Sequence, residues 1–235
     1  TGKGIKVAVI DQKLLKNHEE YKDSVVEYSE YGEAKNEEPG MHGAAVSSLL
    51  IGKTCGIAPE AKLVYKAVSS GRSFEDRAKA LSDIIDSNKK LDKKDKVKVV
   101  SCSIGYMEQN PEPGLEKWIE AIKNAEKEGI IVVDVSKRLG VDFIGGGAEK
   151  NKDKVDEYNL WLRFKHQNPD ENVREALIIP SEYRTMASWK GNNEFMYTGK
   201  GGMSWSVPYL AGIFALALQV NPELSKDKIA EVVNK

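Results

Sequence analysis

The sequence predicts an α/β fold of three layers, with a mostly parallel sheet covered by helices on both faces. Three observations predict it. Apolar, β-branched runs bounded by turn residues recur through the first half of the chain. Segments with apolar residues at helical spacing stand between those runs, as crossovers between parallel strands require. The 235 residues suit one large α/β core spanning 1–235 better than two small ones.

Taken in order, Ile5 to Ile10 reads as a buried strand delivering Asp11 at its end. His42 to Ile51 reads as a helix stopped by Gly52, and Ala61 to Val68 as a strand. Phe74 to Asn88 is helical, with Ala78, Leu81, Ile84 and Ile85 on one face. Val97 to Ser103 is a strand, Leu115 to Lys127 an amphipathic helix ended by Gly129, and Ile130 to Val135 another buried strand. The stretch 137–200 is less regular; it holds Gly145-Gly146-Gly147 and strand candidates at Ala176–Ile179 and Phe195–Tyr197. A helix follows from about Ser204 to Val220, punctuated by Asn221-Pro222, and a short helix from Ser225 to Val233.

Composition excludes several roles. With 40% hydrophobic and 30% charged residues the chain is ordinary for a globular protein. The net charge of −1 offers no basic excess for nucleic acid or anionic lipid. The basic run from Lys89 to Lys96 is broken by Asp92 and Asp95 and reads as a solvated connection. Cys55 and Cys102 form neither a disulfide framework nor a CxxC zinc pair, and no loop carries the Asp/Asn spacing of a calcium site. No metal or cofactor is therefore expected. The apolar stretch Val207–Val220 is too short to span a bilayer and contains Pro208 and Gly212, so it reads as a buried helix. Thr1-Gly2-Lys3-Gly4 leads almost at once into a core strand, so the chain is expected to be a trimmed product without its targeting segment.

Ligands of parallel α/β sheets bind beyond the carboxyl ends of the strands. Asp11 ends the first strand, His42 opens a helix after Gly40, and Ser204 opens a helix after Gly201-Gly202. A serine hydroxyl is a weak nucleophile unless a histidine takes its proton, and that imidazole needs a carboxylate to fix its tautomer. Asp, His, Ser is one of the chain orders in which such a triad occurs.

The local sequences around these residues resemble the subtilase family in four places, in family order. Gly2 to Asp11 is similar to the strand leading into the family's aspartate. His42-Gly43 with Cys55-Gly56-Ile57-Ala58-Pro59-Glu60-Ala61 resembles the histidine helix and the turn after it. Ser101-Cys102-Ser103-Ile104-Gly105 is similar to the family's substrate-binding edge strand, and Gly202 to Gly212 to its serine helix. The resemblance implies a subtilisin-like fold and a serine endopeptidase with Asp11, His42 and Ser204 as catalytic triad. It further implies a peptide or protein substrate bound along Ser103, Ile104 and Gly105, and secretion. Pro208 is expected among the first helical positions, where a missing N–H costs little. Oligomeric state is not fixed by the sequence.

The chain also departs from the family. Gln12-Lys13 follows Asp11, Ala44-Ala45-Val46 follows His42-Gly43, and Trp205 replaces a smaller residue after Ser204. Asp134-Val135-Ser136-Lys137-Arg138 lacks the asparagine that completes the family's oxyanion hole. The Ser204 backbone N–H is one candidate donor. Arg138, Ser136 and Lys137 are candidates for the second, and Asp134 only if protonated. Two other readings compete with an active peptidase. One is a weak or inactive homologue that binds peptides or regulates. The other is a nucleotide-binding domain, opposed by the lack of phosphate-loop spacing around Gly145-Gly146-Gly147.

Overall fold

A computed structural model of the chain describes residues 1–69, 71, 73–104, 112–135, 143–148, 161–163 and 177–233. Its elements in order are β1 (Lys6–Asp11), β2 (Val25–Glu30), α1 (Met41–Ile51), β3 (Lys62–Ala67), α2 (Glu75–Lys89), β4 (Val97–Cys102), α3 (Leu115–Lys127) and β5 (Ile131–Asp134). There follow β6 (Phe143–Ala148), β7 (Trp161–Arg163), β8 (Leu177–Pro180), β9 (Arg184–Ala187), β10 (Phe195–Thr198), α4 (Met203–Val220) and α5 (Lys226–Val233).

The main sheet runs β2-β3-β1-β4-β5, with every pairing parallel. Strand periodicity divides its side chains between two cores. Val7, Val9, Leu63, Tyr65, Val99 and Val133 pack with α1 and α4 on one face. Ala8, Ile10, Val64, Val100 and Val132 pack with α2 and α3 on the other. Both faces are apolar because both are covered, which gives the three layers that the runs predict. Smaller pairings lie outside this sheet: antiparallel β9–β10, and β7-β6-β8, in which β6 is antiparallel to β7 and parallel to β8.

The strands and helices expected from the sequence all form, with ends shifted by one or two residues. Gly145-Gly146-Gly147 lies within strand β6. Missing from the expectation were β2, β6, β7 and β9. The apolar stretch lies in a helix of 18 residues, Met203–Val220, long and apolar enough by length and composition to cross a bilayer. Here α4 is a core helix, with Val207, Leu210, Ala211, Phe214, Ala215 and Leu218 buried against the sheet and α1.

Candidate active site

Asp11 is the last residue of β1, and its side chain is fully buried. His42 is the second residue of α1, which starts after Gly40 near the same end of β1. Between them, the His42 imidazole donates from Nδ1 to Asp11 Oδ1 at 2.7 Å. A carboxylate can only accept, so this bond fixes the proton on Nδ1 and leaves Nε2 free to take one. Asp11 Oδ1 also accepts from the Gln12 N–H at 2.8 Å, while Oδ2 is buried and receives no hydrogen bond from the described residues. Burial pushes the imidazole pKa down, but the charge of Asp11 and its hydrogen bond outweigh burial, so the net pKa lies above 6.5.

Close packing at Gly43 brings the two elements together. A Cβ there would sit 2.4 Å from the Gln12 carbonyl oxygen and 2.5 Å from the Tyr65 hydroxyl, which donates to that same carbonyl. Only glycine lets α1 lie this near the end of β1.

Ser204 is the second residue of α4, where the first N–H groups have no partner inside the helix. It joins β4 through a reciprocal pair of hydrogen bonds. The Ser103 hydroxyl donates to the Ser204 carbonyl at 2.9 Å, and the Ser204 hydroxyl donates to the Ser103 carbonyl at 3.3 Å. Pro208 explains the first bond. It is the sixth residue of α4, beyond the first four positions whose N–H groups lack helical partners, and lacks the N–H that a helix would aim at the carbonyl of residue 204. The Ser103 hydroxyl supplies that missing donor.

A triad needs His42 to bond both partners, and here the serine side differs. The hydrogen bond of the Ser204 hydroxyl goes to Ser103, while the His42 ring lies against Trp205 at 5.4 Å between centroids. The Ser103 carbonyl, just past the end of β4, is a competing acceptor for this hydroxyl. Ser103 is buried and Ile104 half-buried, just beyond the end of interior strand β4. Gly105, Ser136, Lys137 and Arg138, named for substrate and oxyanion contacts, lie outside the described residues. Asp134 is turned toward α3, where it accepts from Trp118 Nε1 at 3.2 Å on the face opposite α4. That removes it as an oxyanion donor. Among the described residues, no three His, Cys, Asp or Glu side chains cluster so as to hold a metal.

Three features of the site were not read from sequence: the Ser103–Ser204 exchange, the tight seat of Gly43, and the contact between Trp205 and His42. Pro208 four residues after Ser204 was a usable signal for the first. The others depend on distances that the sequence does not carry.

Comparison with known proteins bears on this arrangement. The family model described as "Subtilase family" matches residues 2–134, more than half of the chain. The chain is 25% identical over 234 residues to subtilisin-like protease 2 of Arthroderma otae, covering 93% of this chain and 51% of that protein. It is 23% identical over 278 residues to serine protease AprX of Bacillus subtilis, covering 99% and 61%. The chain thus spans about half the length of the curated relatives it matches. A cold-adapted subtilisin-like serine proteinase superposes with a TM-score of 0.72 at 18% identity, covering 99% of this chain and 82% of that one. Sphericase superposes at 0.71 and 16% identity, covering 98% and 82%. At these identities the structures speak for the fold, and the family model for kinship: the chain belongs to the subtilase family.

Proposed function

We propose that this chain is the peptidase unit of a serine endopeptidase, one domain over 1–235, that cleaves peptide or protein substrates through an acyl-enzyme on Ser204. The observation that carries the reading is the partly buried 2.7 Å bond from His42 Nδ1 to Asp11, at the sheet edge that also anchors Ser204 through Ser103. In this mechanism the Ser204 hydroxyl turns from the Ser103 carbonyl to His42 Nε2. As its Oγ attacks the scissile carbonyl, the proton passes to Nε2, and Asp11 stabilises the resulting imidazolium. The negative charge on the tetrahedral oxygen meets the Ser204 N–H at the start of α4. The same proton then goes to the leaving amine, and water repeats the cycle to release the acid. Substrate is held as an extended strand along Ser103, Ile104 and Gly105, through main-chain hydrogen bonds. The second oxyanion donor comes from Ser136, Lys137 or Arg138.

A second reading, a slow or inactive homologue that binds peptides, is favoured by two observations. The Ser204 hydroxyl rests on Ser103, and residues 134–138 contain no asparagine. Losing one oxyanion donor costs roughly 10²–10³ in turnover. A fluorophosphonate probe separates the readings. The endopeptidase reading expects covalent labelling of the wild type that disappears in Ser204→Ala and falls steeply in His42→Gln. Absence of labelling at high probe concentration in a folded chain rejects it.

A further inference from the structure

Trp205 is half-buried on the first turn of α4, and its ring lies 5.4 Å from that of His42 between centroids, with the planes 34° apart. The indole also packs against the cluster of Ala45, Leu49 and Met186, together with Met41 and Met196. Polarisable thioethers suit the flank of an aromatic ring, and this bed fixes where the ring can lie. A cation within about 6 Å of an indole centroid is attracted by the ring's quadrupole. The proposed reaction makes such a cation at His42.

Among the described residues, the charged surroundings of His42 are sparse. The elements packed against α1 are α4, β9, β1 and β3. From β1 comes Asp11, bonded to His42, and Lys6 at the far end of the strand. From β3 come Lys62, Tyr65, whose hydroxyl donates to Gln12, and Lys66, paired with Glu27. From β9 comes Arg184, whose guanidinium lies over Tyr209 of α4. No residue of α4 is charged. Of these groups only Asp11 sets the charge balance at the imidazole. Among the described residues, Trp205 is the aromatic ring beside the imidazole.

We propose that Trp205 is a positioning residue for His42: its indole holds the imidazole against Asp11 and stabilises the imidazolium formed when His42 takes the Ser204 proton. The inference rests on the peptidase reading for its purpose, but the contact can be tested without turnover. An indole over a histidine has two opposed effects. Its π-system favours the charged ring, and its apolar bulk disfavours it. The sign of the change on substitution tells which one governs.

The experiment is an NMR titration of the histidine ring signals in Ser204→Ala, which cannot acylate. Three histidines contribute signals, and His42→Gln assigns the one of interest. Trp205→Leu keeps apolar cover and removes the π-system, so the His42 midpoint should fall by about half a unit to one unit. Trp205→Phe should keep most of the wild-type midpoint. Should the leucine variant fail to fold, Trp205→Met offers similar bulk and must show the same fall. A midpoint that rises or stays unchanged in the non-aromatic variants overturns the proposal. Labelling of the wild-type chain by fluorophosphonate is a separate result. Its failure beside a lowered midpoint sinks the peptidase reading alone, whereas labelling beside an unmoved midpoint sinks the role of Trp205 alone.

Discussion

Gly43→Ala is the sharpest perturbation of the Asp11–His42 pair, because its size follows from the contacts an added Cβ would make. The added Cβ would lie 2.4 Å from the Gln12 carbonyl oxygen, 2.5 Å from the Tyr65 hydroxyl and 3.2 Å from the Lys13 carbonyl oxygen. Non-bonded carbons settle near ~3.5 Å, so α1 must withdraw from β1 by about 1 Å. Two of the three obstacles are backbone atoms and the third is a hydroxyl hydrogen-bonded to one of them, so no flexible side chain absorbs the clash. A withdrawal of that size along the bond takes His42 Nδ1 from 2.7 Å to roughly 3.7 Å from Asp11, beyond hydrogen-bond length. Overpacking of this kind costs about 1–3 kcal/mol, which is roughly 2–12 °C of melting temperature for a domain of this size. A 1 Å misplacement of a reacting group costs on the order of 10² in rate. The assay pairs fluorophosphonate labelling with thermal unfolding on wild type, Gly43→Ala and Gly43→Ala with Tyr65→Phe. The single variant should label about a hundredfold more slowly. The double variant should regain part of the stability but little of the rate, because the Gln12 carbonyl is still in the way. Wild-type labelling by Gly43→Ala would refute the idea that this close approach sets the pair.

Other consequences follow from the same geometry. Ser103→Ala should cost about 1–3 kcal/mol in chemical denaturation, because it strips the Ser204 carbonyl of its donor. Adding Pro208→Ala restores a helical N–H, so the effect of Ser103→Ala should shrink in that background; strict additivity in the double-mutant cycle would contradict the explanation. Glu20 is buried and accepts from Thr54 N and Oγ1 and from Cys55, and although burial raises its pKa, those bonds bring it below 4.5. Its depressed value makes a contribution that is present above the unfolded value and lost as pH falls through the folded one, so Glu20→Gln should destabilise at pH 7 and progressively less below about 4.5 in urea titrations. Because the folded pKa of His42 lies above 6.5, kcat/KM should fall as pH drops through that raised value, and Asp11→Asn should move this limb downward while slowing turnover by about 10⁴. The stability term has the opposite sense: the Asp11–His42 pair stabilises the fold most at pH below 6.5 and less as pH rises through the folded value.

Local signals made the sheet readable. Lys6–Asp11, Lys62–Ala67, Val97–Cys102 and Ile131–Asp134 are dense in buried apolar residues, because each is covered on both faces, and such runs stand out against amphipathic helices. β2 escaped notice because it is an edge strand, with Val26 and Glu27 exposed and Val25 and Tyr28 only half-buried, so its pattern is diluted. β9 and β10 escaped or blurred for a related reason. They form a two-stranded ribbon, four residues each, with Phe195 and Tyr197 exposed.

At the candidate site, the sequence offers residue types but not the couplings between them. Aspartate, histidine and serine can be named from a strand end and two helix starts, since parallel topology turns such positions toward one edge. What tunes them is set by contacts between segments remote in sequence. Ser103 reaches Ser204 across 101 residues, and Tyr65 reaches Gln12 across 53. These contacts are tied to residues that look like departures when read alone. Gln12 is the departure directly after Asp11, yet it is its main chain that meets Gly43 and Tyr65, and its N–H that bonds Asp11. A substitution at position 12 that keeps the backbone path should therefore be tolerated by the Asp11–His42 pair. Trp205 differs in kind, because its side chain itself touches the imidazole. The sequence flags both positions equally, and only the contact made by each decides which one bears on the chemistry.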